Sequence, residues 1–406
     1  MPAVQRLTKQ ADQISFWAFL ACGVVGPLGM APQEIFVVLA IIAWLTGRLA
    51  VRQWPLRMPA AAILAAWFFI ALLSITQSTH LPTSIKGLQK LLKFFALFYA
   101  AAETLNTRKR LSAMFLAVVT GAAIVSLNGL VQVATEADLF YHHAPGTAPG
   151  SLPRLMSTFG HPNDYATYAV TVFPACLVLA LSSKHSKQRF WSWVVAASVG
   201  LSLLLTFSRP SVLAIAVSMV LFMAPRRAWK TLAAFTGAGI LGAFSLPQPV
   251  KDWVASQPSW LAVVAQPLRF EIWQAGWAMI RTHPLLGIGA NMFVRDYVQY
   301  RISGDALVAA YGHNHYIQLA AEIGIFGLLV FLGFMVYTAR LAGKLLRDKE
   351  PWVRWAALGM GCGLAAFLTI GLLESALQSS RACIFFWIWL GALHGLALDR
   401  GRGFKV

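Results

Sequence analysis

The chain has 406 residues, of which 58% are hydrophobic and only 12% charged, whereas a soluble domain carries about a quarter charged residues. Apolar runs of membrane-crossing length recur along it, which excludes a soluble globular enzyme, and a transmembrane barrel would show short alternating segments instead. The formal net charge of +18 would suit a nucleic-acid partner, but the basic residues follow membrane topology and form no aromatic-and-basic module, so no nucleic acid is expected.

The pattern predicts an all-α polytopic membrane protein with about 12 spans, near 14–30, 34–50, 59–76, 85–105, 111–134, 164–182, 190–207, 211–224, 228–246, 313–338, 353–373 and 381–398. The whole chain, 1–406, reads as one integral membrane domain. The first apolar run lacks a small-residue cleavage site and reads as a retained span. With the N-terminus placed in the cytoplasm, 22 of the 33 Lys and Arg residues fall in short cytoplasmic loops or tails. By the positive-inside rule both termini are then cytoplasmic. Cys22, Cys176, Cys362 and Cys383 stand singly in apolar runs and make neither a CxxC pair nor a disulfide framework.

Two outer loops are long, 135–163 and 246–312, and long loops usually carry function. Within the second, Phe270, Trp273, Trp277 and Ile280 recur at helical spacing, which predicts an amphipathic helix at the outer interface between spans nine and ten. His283-Pro284 ends that helix. Gly287-Ile288-Gly289 is a turn rather than a nucleotide fingerprint, because no strand precedes it.

Eleven basic residues remain on the outer side. Arg209 stands in a very short turn, Ser208-Arg209-Pro210, with no acid near it in sequence. It faces either an anionic ligand in a wet cavity or the phospholipid headgroups. Lys86, Lys90 and Lys93 form a stripe at i, i+4, i+7, which suits either headgroups or an anionic substrate. Arg269 precedes Glu271, a local ion-pair partner. Arg381 opens the last span, seven residues after Glu374, and either pairs with it or lines a cavity.

The densest polar stretch is Gly312-His313-Asn314-His315-Tyr316-Ile317-Gln318, with Glu322 following, at the mouth of an apolar run. Polar groups at a bilayer boundary are costly and usually have a task, although the same residues also serve as ordinary interfacial groups. Arginine suits phosphate oxygens and histidine exchanges protons near neutral pH. No DxD, HExxH or acidic cluster with ligand spacing occurs, so no metal is expected.

His313-Asn314-His315-Tyr316-Ile317-Gln318 followed by Glu322-Ile323-Gly324-Ile325-Phe326-Gly327-Leu328-Leu329 resembles the HNxYLQ…AExGxxGLL pattern of the O-antigen ligase and polymerase superfamily of bacterial envelopes. Arg269 to Trp273 with Pro284-Leu285-Leu286-Gly287-Ile288-Gly289 is similar to that superfamily's R-x-x-x-W…P-L-x-G-x-G segment. Ser208-Arg209 is similar to its S-R-G/A turn, here with Pro210. Gly160-His161-Pro162-Asn163 resembles its G-N-P-N segment, with His161 in place of the usual Asn.

The resemblance implies a GT-C-like glycosyltransferase of the bacterial inner membrane, with a periplasmic active site that needs no metal and no cofactor. The donor it implies is an undecaprenyl-pyrophosphate-linked O-antigen, and for a ligase the acceptor is a sugar of lipid A-core oligosaccharide in lipopolysaccharide synthesis. His313 is then the base of an inverting transfer, and the pattern's variability at position 315 makes His315 the lesser candidate. Arg209 and Arg269 would hold the pyrophosphate, with Lys86, Lys90, Arg381, Asn163, Asn314, Tyr316 and His315 as further substrate contacts. Other readings are an O-antigen polymerase, a protein O-oligosaccharyltransferase and a polytopic transporter. The short tail after the last span weighs against the second, and the apolar middles of the spans weigh against the third.

Overall fold

The computed structural model describes residues 2–51, 60–146, 153–224, 267–301, 310–378 and 380–401. Its elements are helices: α1 (Pro2–Val25), α2 (Met30–Ala50), α3 (Ala60–Ser74), α4 (Leu81–Thr104), α5 (Arg108–Thr135), α6 (Pro162–Ser182), α7 (Ser186–Leu205), α8 (Arg209–Met223), α9 (Pro267–Thr282), α10 (Phe293–Tyr300), α11 (His315–Leu345), α12 (Pro351–Ile370) and α13 (Ser380–Asp399). Among the described residues no strand forms, and the extended backbone contributes one isolated bridge, Gly146 to Arg154. This is the expected all-α polytopic membrane protein.

Among the described residues, nine helices are long and apolar enough to cross a membrane. Two more predicted spans are also helical. α4 carries Lys86, Lys90 and Lys93 through its first half, and α8 has only 15 residues. The ninth predicted span, 228–246, lies outside the described residues, as does the 246–266 part of the large outer loop.

Hydropathy cannot say which apolar helix is central, because lipid and protein are equally apolar neighbours. Packing decides it. The α13 window is 89% buried and that of α6 83%, against 28% for α3 and α7. α13 packs on α4, α6, α11 and α12. Its Gly391 and Gly395, four residues apart, let it approach α4 closely. A Cβ at these positions would lie 2.3 Å from Phe98 O and 1.9 Å from Ala102 O. Trp387 and Trp389 fill the space on the same helix.

α9 is present as expected, but it has two apolar faces rather than one. Ile272, Ala275 and Met279 are buried against Phe293 and Tyr297 of α10 and Ala321 of α11, while Phe270 and Trp277 stand exposed. The exposed pair is the face suited to an interface. The predicted stripe marked this exposed face, whereas Ile272, Ala275 and Met279 lie on the opposite side of the helix at 100° per residue.

α11 is kinked rather than continuous. Ile323 (φ −127°, ψ 17°) and Gly324 (φ 72°, ψ 177°) leave helical geometry. The freed backbone groups are taken up by the Pro284–Gly289 segment: Ile325 N–H donates to Pro284 O at 2.9 Å, Ile288 N–H to Ala321 O at 2.9 Å and Gly289 N–H to Glu322 O at 3.0 Å. A Cβ on Gly324 would fall 2.0 Å from Leu285 O. Two sequence segments 30 to 40 residues apart are thus one structural joint, and it delivers the His313 stretch to the end of the bundle.

Candidate active site

At one end of the bundle a cavity of about 410 Å³ is lined by His161, Asn163, Tyr311, His313, Glu374 and Arg381, among others. Its organising group is the Glu374 carboxylate, in the turn between α12 and α13. Oε1 accepts from Arg269 Nη2 at 2.8 Å and from Asn163 Nδ2 at 2.8 Å. Oε2 lies 3.2 Å from His313 Nδ1. Its side chain is only 10% exposed, so these contacts are made away from bulk water, where they are strong. One acid therefore gathers three predicted residues from three distant parts of the chain.

The network extends further. Arg154 donates from Nη2 to Asn163 Oδ1 at 3.2 Å and from Nε to Thr206 O at 2.9 Å. Thr206 begins the turn that holds Arg209, and Leu155 N–H donates to Leu205 O at 2.9 Å beside it. Arg209 lies within electrostatic range of both Arg154 and Arg269 and repels each. Burial and then Arg209 pull the Arg154 guanidinium below its ordinary pKa while Glu374 opposes them, and an arginine stays cationic under such pressure. Three guanidinium groups thus cluster beside Glu374, and with Arg381 on the cavity wall they outnumber the two carboxylates there, Glu374 and Asp164. Arg269 Nη1 is buried without a hydrogen-bond partner among the described residues. An orphaned guanidinium donor beside an anion-sized cavity suits an oxyanion ligand.

His313 is held in the left-handed region (φ 43°), as is Phe207 (φ 49°) beside the Arg209 turn. Such backbone costs of order 1–3 kcal/mol and persists where the surroundings over-determine it. Gln318 is one such surrounding group. Its Oε1 accepts from Gly312 N–H at 3.1 Å and from Ser375 Oγ at 2.8 Å. A single amide oxygen therefore ties the residue before the imidazole to the residue after the carboxylate. Gln318 Nε2 in turn donates to Glu322 Oε1 at 3.0 Å, and Glu322 Oε2 accepts from Asn291 N–H at 3.1 Å.

The other predicted residues divide. Arg381 lines the cavity but does not reach Glu374. Its Nη1 donates to Thr158 O at 2.8 Å, and its guanidinium lies 4.5 Å from the centre of the Phe159 ring. Arg269 pairs with Glu374 rather than with its sequence neighbour Glu271. Lys90 Nζ donates to Gln378 Oε1 at 2.9 Å, and Gln378 separates the large cavity from a smaller one of about 90 Å³. Lys93 pairs with Glu34 at 2.8 Å, and Lys86 is exposed away from both cavities. The lysine stripe is therefore not a single binding surface.

Asn314 caps α11, its Oδ1 accepting from Tyr316 N–H at 2.9 Å and Ile317 N–H at 3.1 Å. Tyr316 OH donates to Leu368 O at 2.8 Å. His315 is buried with neither ring nitrogen hydrogen-bonded, packed on Tyr316 at 4.2 Å between centroids and near Phe331 and Phe367. These three positions shape the helix start and leave the cavity wall to His313.

Two partners escaped the sequence reading in their roles. Arg154 was one of eleven outer cations with nothing to single it out. Glu374 did carry a signal: it is the only acid between Glu350 and Asp399, in a short turn, which is the same oddity that marked Arg209. Among the described residues no three His, Cys, Asp or Glu side chains gather as metal ligands.

A membrane-embedded helical bundle with an imidazole–carboxylate pair and clustered arginines at one end defines a class: a polytopic membrane protein with a polar, arginine-flanked cavity at one end of the bundle. Residues 193–332 match the family model described as O-antigen ligase (Wzy_C). The match spans Arg209, Arg269 and His313, and leaves Asn163 and Glu374 outside it. No curated protein matches the chain.

Proposed function

We propose that the protein is an O-antigen ligase of the bacterial inner membrane. It transfers a glycan from undecaprenyl pyrophosphate to a sugar hydroxyl of lipid A-core oligosaccharide at the periplasmic face, without metal or cofactor. The observation that carries the reading is the contact of His313 Nδ1 with Glu374 at 3.2 Å on the wall of a cavity, with Arg269 bound behind it to the other oxygen of the same carboxylate. It stands within a chain whose residues 193–332 match the O-antigen ligase family.

The chemistry follows from the geometry. Glu374 accepts a hydrogen bond from Nδ1–H, which fixes the tautomer with its lone pair on Nε2. Nε2 takes the proton of the acceptor hydroxyl as its oxygen forms a bond to the donor's anomeric carbon. The bond from that carbon to the pyrophosphate oxygen breaks, and the electron pair leaves with the phosphate. A single displacement inverts the anomeric configuration. Glu374 then faces an imidazolium and stabilises it. Arg269, through Nη1, and Arg209 meet the charge that grows on the leaving pyrophosphate, where fixed donors in a dry site are most effective. Arg381 stands on the cavity wall as a secondary contact, Lys90 reaches that wall only through Gln378, and Asn163 holds the carboxylate in place.

The deciding experiment offers purified protein a lipid-linked O-antigen with lipid A-core, with a second lipid-linked glycan, or with pilin. Sugar gained by lipid A-core alone is expected. Chain growth on the second lipid-linked glycan would make the protein a polymerase, and transfer to no acceptor would overturn the assignment altogether.

A further inference from the structure

The bundle carries a second basic cavity at the end opposite His313. α6 starts at the reactive cavity with Asn163 and finishes at Ser182, and α12 runs from Pro351 at this far end towards Glu374. About 20 residues of helix separate the two by roughly 30 Å. The far cavity encloses about 600 Å³, and Arg108, Lys184 and His185 stand on its wall with no acid among the lining residues.

Positive-inside topology explains why basic residues lie at this end, but not why these are uncompensated. A neighbouring cavity at the same end holds Arg48 and Glu103 as an ion pair, with Asp12 bound to Arg110 beside it. In the far cavity none of Arg108, Lys184 and His185 forms an ion pair among the described residues. The first turns of α5, α7 and α12 also line it, and neither α7 nor α12 has a side-chain cap for its first N–H groups. Ser112 and Ser182 add hydroxyl groups to the wall, while Ser183 donates within the loop to Gln188. Below this rim the floor is apolar, with Leu111, Phe115, Val178 and Leu179. Trp352 and Trp355 stand in the wall, and Phe190 and Trp191 are exposed on the adjoining turns of α7. Exposed aromatics of this kind mark headgroup depth in a bilayer.

We propose that this cavity is a binding site for the phosphate headgroup of an anionic membrane lipid, with Arg108 and Lys184 on the phosphate and the acyl chains over the apolar floor. The aromatic rim and the apolar floor favour a lipid over a soluble phosphate. The site is independent of the chemistry at His313.

The test uses the full-length purified protein, with native mass spectrometry reading phosphatidylglycerol and phosphatidylcholine bound on titration. The unchanged protein is expected to prefer phosphatidylglycerol. The pair Arg108→Gln with Lys184→Gln should weaken phosphatidylglycerol roughly 10- to 30-fold and leave phosphatidylcholine unaltered. Ser182→Glu, which sets a carboxylate in the wall without removing a cation, should act in the same direction. The pair Arg340→Gln with Arg347→Gln, exposed elsewhere at this end, should change little. Equal loss from both pairs would reduce the effect to general surface charge and overturn the site. Thermal protection by inorganic phosphate that depends on Arg108 and Lys184, with no preference between the lipids, would assign the cavity to a soluble anion and overturn the lipid.

Discussion

At the scale of single residues, the site is organised by what Glu374 holds. Replacing His313 by Ala removes the base, and general base catalysis is typically worth about 10²–10⁴-fold. Ligation by purified His313→Ala should fall by that order while the protein remains in the membrane at normal level. Glu374→Gln keeps the size of the side chain but loses its charge, and its amide can no longer accept from both Arg269 and His313 as a carboxylate does. It should lower kcat by about 10²-fold or more, measured on lipid-linked donor at saturating acceptor. Arg269→Lys keeps a positive charge and gives up the fork that serves Glu374 and a ligand together, so it should fall well short of full activity. Full ligation by both Arg269→Lys and Arg269→Ala would remove that residue from the site.

At the scale of elements, two joints set the cavity's geometry. Gln318 bridges the His313 and Glu374 segments through one oxygen. Gln318→Leu should reduce kcat with little change in KM, because it releases the dyad without touching the cavity wall. The kink of α11 needs Gly324 at φ 72° against Leu285. Gly324→Ala meets both a strained backbone and a 2.0 Å contact, and should destabilise the fold by more than the ~1–3 kcal/mol of the backbone alone, read as lost thermal stability in detergent. The outer loop after α5 turns on Asp138. Burial by itself raises its carboxyl, but N–H groups of Tyr141, Phe140 and His143 outweigh that and hold it below the ordinary 3.8. A carboxyl held low in the fold contributes stability above its ordinary value and loses it as pH falls through the lowered one. Protection of the amides of residues 139–143, after correction for the intrinsic pH dependence of exchange, should therefore be unchanged between pH 5 and 7 and fall only in acid below about 3.8.

At the scale of the whole molecule, the reactive cavity and the basic far cavity occupy opposite ends of the same helices. Cys22, Cys176, Cys362 and Cys383 are all buried, so the native background to thiol labelling should be low. An impermeant maleimide added to intact cells with a permeabilised outer membrane should label His142→Cys and not Lys184→Cys. The reverse pattern would turn the protein over and place the His313 cavity in the cytoplasm.

The sequence alone determined the membrane class and the course of the helices, because span length and loop charge are local properties. Isolated polar groups are local too, and they made Arg209, Arg269 and His313 candidates for the site. The burial order of the helices was not legible, since a run facing lipid and a run facing protein have the same composition. Nor was the pairing of Arg269 with Glu374, 105 residues away, or the separation of His313 from His315. Those two imidazoles stand two positions apart in the chain, and only tertiary packing sends one against a carboxylate on the cavity wall and the other among Tyr316, Phe331 and Phe367. The physical reason is that one kinked helix start, fixed by Gln318 and by the Pro284–Gly289 segment, sets the direction of each ring, and those contacts come from residues far away in sequence.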